Sequence, residues 1–136
     1  NQYLTLAPSS TRYTLAATAS SAARFFTTQY TPTGTYALHN SDDSRQVALQ
    51  GTTSVLLNLI DATNPNSTNI PGGSLMEWAT FTTEGNSLGV KDGSTLANRT
   101  WVVVGSGTGT GGVALYDGVS NTTQSIVPIT ISLVKA

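Results

Sequence analysis

Turn signals recur along this 136-residue chain too closely for it to be built of long helices. Pro8-Ser9-Ser10, Thr31-Pro32-Thr33-Gly34, Asn40-Ser41-Asp42-Asp43-Ser44, Gly85-Asn86, Lys91-Asp92-Gly93 and Asp117-Gly118 each punctuate it. Such clusters turn the backbone for definite reasons. Proline presets φ, glycine accepts positive φ, and Asn or Asp bonds its own backbone. The runs between them alternate with period two, which lays apolar residues on one face of a strand. About ten or eleven short strands at turn spacings of roughly 8–12 residues predict an all-β fold. We expect one domain over residues 1–136, a single-domain antiparallel β-sandwich, with a β-trefoil as the alternative. The trefoil rests on Tyr36-Ala37-Leu38, Leu88-Gly89-Val90 and Val113-Ala114-Leu115, but these recur at unequal intervals.

Individual runs can be placed. Residues 2–6, 12–17, 24–30, 35–38 and 47–50 read as strands, and 16–23 as a loop or a single helical turn. Residues 52–62 carry apolar side chains on both faces (Val55, Leu57 and Leu59 against Leu56 and Ile60), so this strand should be interior. Residues 75–92 read as one hairpin around Gly85-Asn86, a dipeptide suited to a two-residue turn. That register sets Phe81 opposite Val90 and Thr83 opposite Leu88. Trp101 to Val104 should be central, and Ile129, Ile131 and Leu133 should form the last strand. Pro128 lacks a backbone donor and marks an edge or a bulge.

The Gly-rich stretch 107–112 (GTGTGG) formally satisfies a dinucleotide-binding fingerprint after the apolar run Trp101–Val104. That fingerprint requires a helix opening on the last glycines, with its N-terminus on a pyrophosphate. Here Val113-Ala114-Leu115-Tyr116 and the turn Asp117-Gly118 follow instead. The stretch is therefore expected to be the long loop of a β-hairpin.

Composition narrows the partners. Six Lys or Arg against seven Asp or Glu leave a net charge of −1, so no basic stripe is present to bind nucleic acid or an anionic membrane. No run is long and apolar enough for a membrane helix. With no cysteine, disulfides and thiol chemistry are excluded, and nothing calls for a metal or cofactor. Ser and Thr make up 38 of 136 residues, so hydroxyls rather than charges keep the chain soluble, as suits an extracellular protein. Asn66, Asn98 and Asn121 each open an N-glycosylation sequon. A first residue other than Met fits removal of a secretion signal. These features together predict a secreted protein. Its oligomeric state is not encoded in any pattern we recognise.

Candidate catalytic groups are few. Glu77 and Glu84 could form the carboxylate pair of a sugar hydrolase, but their odd offset on one strand would put them on opposite faces. Asp92 and Asp117 precede glycine, as turn residues do. His39 is the sole histidine, and a Ser-His-Asp triad would have to use it with Asp42 or Asp43. No nucleophile elbow accompanies it, so it reads as a strand-end residue. Asn40, Asp42 and Asp43 offer too few oxygens for calcium. No residue is assigned a catalytic role.

The aromatic residues are more informative. Phe25 or Phe26, Phe81 and Trp101 lie on apolar patterns and should fill the core. In the hairpin register Trp78 shares a face with Thr80, Thr82, Glu84 and Lys91. An aromatic ring beside hydrogen-bonding groups is how proteins stack sugar rings. Trp78, Thr80, Thr82 and Glu84 are thus the candidate glycan-binding residues, with Tyr30 and Tyr116 softer additions. A bulge near Ala79 would instead turn Trp78 inward.

The C-terminal part, from LLNLIDATNP (Leu56–Pro65) through SLMEWATFTTEGNSLGVKDGS, RTWVVV and VALYDG to PITISLVKA, resembles small secreted fungal surface or cell-wall-type β-proteins. The resemblance lies in strand-and-turn texture and implies location rather than activity. The expected function is a secreted, non-enzymatic β-domain, structural or weakly glycan-binding at a fungal surface, with cell-wall polysaccharide as its partner. The alternatives are a small carboxylate-dependent polysaccharide hydrolase and a protein-interaction domain or inhibitor.

Overall fold

The computed structural model describes residues 2–65, 74–105 and 111–135. The described residues form twelve strands: β1 (Tyr3–Leu6), β2 (Tyr13–Ala16), β3 (Phe26–Tyr30), β4 (Thr35–His39), β5 (Arg45–Gly51), β6 (Leu56–Thr63), β7 (Leu75–Glu77), β8 (Phe81–Thr82), β9 (Gly89–Val90), β10 (Thr100–Val104), β11 (Gly112–Tyr116) and β12 (Ile126–Ile129). A single helical turn, Ala19–Ser21, falls inside the Ala/Ser/Thr-rich segment. Strands β1 and β2 pair with each other. The rest form one antiparallel sheet ordered β12-β10-β11-β6-β5-β4-β8-β9, with β3 on β4 and β7 on β5. Among the described residues no helix is long and apolar enough to cross a membrane.

The fold is all-β and sandwich-like. Leu38, Leu49, Leu59, Phe81, Leu88, Trp101 and Leu115 belong to one buried cluster, although the strands carrying them lie far apart in the sheet order. Trp101 of β10 donates its indole N–H to the carbonyl of Leu88 beside β9 at 2.8 Å. The sheet therefore folds over on itself. Beyond β12 the chain meets the β8–β9 hairpin through one isolated bridge, Ser87 to Ser132. No closed barrel results among the described residues, and the trefoil alternative falls with it.

Several local expectations are met for the reasons given. Strand β6 is interior, between β5 and β11. Strands β10 and β11 pair antiparallel, with Trp101 opposite Leu115, so a hairpin rather than a parallel crossover spans the glycine-rich stretch. Residues 106–110 of its loop lie outside the described residues. Phe81 faces Val90 as the turn chemistry requires. Gly85 and Asn86 both take positive φ, and Ser87 N–H closes the turn on Glu84 O at 3.0 Å. Two such residues give the turn the twist a two-residue hairpin needs.

Two expectations need correction. Residues 75–92 are not one hairpin. The chain breaks at Ala79, which sits at φ 56, and β7 leaves to pair with β5, Leu49 facing Glu77. Only β8 and β9 remain as the hairpin. The last strand is β12, ending at Ile129, because its backbone pairs with β10 there; Pro128 lies on it at the sheet edge, opposite Val102.

Candidate functional site

Strand register places a set of side chains on the outer face of β3–β6. Phe26 lies opposite His39, His39 opposite Gln46, and Gln46 opposite Ala62. Directly opposed residues share a face. Ala48 faces Ile60 and Gln50 faces Met76 in neighbouring rows. On this face Ala48, Ile60 and Ala62 form a second, smaller buried cluster, and Met76 and Trp78 pack onto it. Trp78 is half-buried there, apart from the main core. Phe26 is 40% exposed and its ring stacks on His39 with centroids 4.8 Å apart, whereas Phe25 turns inward against Tyr13. The two adjacent phenylalanines are thus divided between core and surface. Gln46 Oε1 is buried without a hydrogen-bond partner among the described residues.

The four glycan candidates do not form one row. The break at Ala79 interrupts the alternation that would align Trp78 with Thr80, Thr82 and Glu84. Thr80 belongs to the connection, where its carbonyl accepts Lys91 N–H at 2.8 Å. Thr82 lies opposite Gly89, and Glu84 is exposed at the tip of the hairpin. Tyr30 is 52% exposed on β3, whereas the Tyr116 hydroxyl is spent on Ser120 O.

A cluster that no sequence pattern announced lies beside the β7–β5 pairing. Asp92 accepts two hydrogen bonds from Arg99, at 2.9 and 2.8 Å, and its side chain is 9% exposed. Glu77 abuts Asp92 at a cleft of about 210 Å³ lined also by Leu49, Leu75 and Leu96. Burial, then the hydrogen bond and charge of Asp92, push the Glu77 carboxyl up to about 8. The Arg99 fork holds Asp92 well below the usual carboxylate range. Near pH 7 Glu77 therefore keeps its proton and shares it with Asp92. Both Asp92 oxygens are held by Arg99, so the carboxylate is a poor base. Glu77 and Glu84 are not partners.

Asp117 is buried, and its carboxylate accepts the N–H groups of Val119 and Ser120, both at 2.9 Å. Asp42 accepts from Ser44 N–H and hydroxyl, and Asn40 Oδ1 from Arg45 N–H. Those oxygens serve the turn. His39 is 8% exposed with both ring nitrogens engaged, by Thr28 and by Asp43 at 2.7 Å each. Among the described residues no group of three or more His, Cys, Asp or Glu is placed to hold a metal. Asn98 and Asn121 are exposed in connections, and the Asn66 sequon lies outside the described residues.

These features define an all-β, sandwich-like domain with an aromatic and amide-bearing outer face and a proton-sharing carboxyl pair. No protein family, curated protein or solved structure matches the chain.

Proposed function

We propose that this is a secreted, structural β-domain that binds wall polysaccharide weakly at a fungal surface. One observation carries the reading. Trp78 is seated half-exposed on the outer face, beside Met76 and on the same sheet as the exposed Phe26 and the polar Gln46. Aromatic faces stack on the C–H faces of sugars, while neighbouring amides and hydroxyls read sugar hydroxyls. An open face with few such contacts corresponds to a Kd of roughly 10 μM to 1 mM.

Trp78→Ala should abolish co-sedimentation with insoluble wall polysaccharide and cost only on the order of 1 kcal/mol in urea unfolding, since the ring covers a small satellite cluster. Binding that persists in this variant, or a collapse of the fold, would remove the glycan face. Secretion has its own test. The exposed Asn98 and Asn121 should carry glycan in material from the native source. Intact mass before and after enzymatic deglycosylation checks this, and an unchanged mass counts against passage through the secretory route.

A further inference from the structure

We propose that Thr28, His39 and Asp43 form an acyl-accepting relay, in which Thr28 attacks carboxylic esters at the exposed edge of the sheet. This goes beyond glycan binding and adds an acyl-transfer activity to the proposed domain. Asp43 Oδ1 lies 2.7 Å from His39 Nδ1, and Thr28 Oγ1 lies 2.7 Å from His39 Nε2. A carboxylate accepts hydrogen bonds and cannot donate them, so Nδ1 must carry the ring proton. In the neutral ring Nε2 is then a bare acceptor, and the Thr28 hydroxyl donates to it. That is the arrangement of nucleophile, base and orienting acid used in hydroxyl-based acyl transfer.

The surrounding structure holds each member in place. Phe26 stacks on the His39 ring with its plane within 8° of parallel, and the ring is buried. Asp43 takes a left-handed backbone at φ 59, fixed by its N–H to Asn40 O and by Asn64 Nδ2 donating to its carbonyl. The turn thus aims a carboxylate at a histidine four residues back. Thr28 is the accessible end. All five residues of β3 are exposed, and among the described residues β3 pairs with β4 alone. Alternate N–H groups along such an edge have no strand to receive them. Donors for an ester carbonyl oxygen therefore lie along the strand that carries the nucleophile.

The chemistry balances without a cofactor. Thr28 Oγ bonds to the carbonyl carbon as its proton moves to Nε2. The ester C–O bond breaks, and the leaving alkoxide takes that proton. Water, deprotonated by His39, then cleaves the acyl-threonine to give the acid and restore the hydroxyl.

The test uses the full chain with p-nitrophenyl acetate, quenched and mapped by peptide mass spectrometry. The expected result is one acetyl group on Thr28. Thr28→Val, which keeps the β-branched shape and loses the hydroxyl, should abolish that label, and His39→Gln should slow p-nitrophenol release about a hundredfold or more. Asp43→Asn should also slow it. Acetyl found only on lysine or the amino terminus, or release unchanged in Thr28→Val, overturns the relay. Unchanged release in Thr28→Val with loss in His39→Gln also overturns it, since the imidazole would then be the nucleophile. If His39→Gln fails to fold, by circular dichroism, Thr28→Val alone decides. Polysaccharide co-sedimentation should survive Thr28→Val, which separates the two readings.

Discussion

Asp92→Ala is expected to destabilise the domain by about 3 kcal/mol in urea unfolding at pH 7, because it leaves the Arg99 guanidinium, whose side chain is 12% exposed, without its partner. Glu77→Gln should act in the opposite direction at that pH. The Glu77 carboxyl is raised from an ordinary 4.5 to about 8 by burial and by Asp92. Below pH 4.5 the folded and unfolded chains both hold its proton, and its contribution is fully present. Between pH 4.5 and 8 the unfolded chain releases the proton while the folded one keeps it, so stability falls as pH rises. Asp92, held low by Arg99, has the reverse sign: its contribution is present above 3.8 and is lost as pH drops below that. Thermal stability should therefore peak between about pH 4 and 5. A glutamine amide donates to Asp92 at every pH, so Glu77→Gln should flatten the alkaline limb. At pH 8 the gain should be on the order of 1–2 kcal/mol, well short of the full shift because Glu77 is only half-buried. Parallel melting curves for the two proteins across pH 4–8 would mean the proton is not shared.

Phe81→Ala should cost about 3–5 kcal/mol, the range for emptying a core aromatic site. Phe81 is 0% exposed, faces Tyr36 on β4 and Val90 on β9, and belongs to the main cluster. It ties the β8–β9 hairpin to the body of the sheet. Trp78, three residues earlier, should tolerate truncation far better. Urea titrations of the two alanine variants measure the contrast directly, and equal losses would place Trp78 in the core.

The route from sequence to this fold was short wherever the interaction was local. Period-two alternation, a Gly-Asn turn and the Asp117-Gly118 punctuation act within a few residues, so strand positions, the Phe81–Val90 register and the β10–β11 hairpin were all legible. Alternation failed at Ala79, where the sequence left a bulge open as the alternative and where tertiary pairing of β7 with β5 outweighs the cost of a left-handed backbone. That one break moved Trp78 off the row of Thr80, Thr82 and Glu84. It also placed Glu77 beside Asp92.

What the amino-acid order determined by itself was an all-β chain, its turns, and most of its core aromatics, because steric preference and apolar spacing are properties of neighbours in sequence. What only the tertiary structure decided was which polar groups meet. Asp92 looked like a turn residue, yet it holds Arg99 and the Glu77 proton. His39 looked like a strand end, yet strand pairing brings Thr28 to one nitrogen and a left-handed turn brings Asp43 to the other. A hydrogen bond needs its atoms within about 3 Å, and no one-dimensional pattern encodes that closeness for residues on different strands.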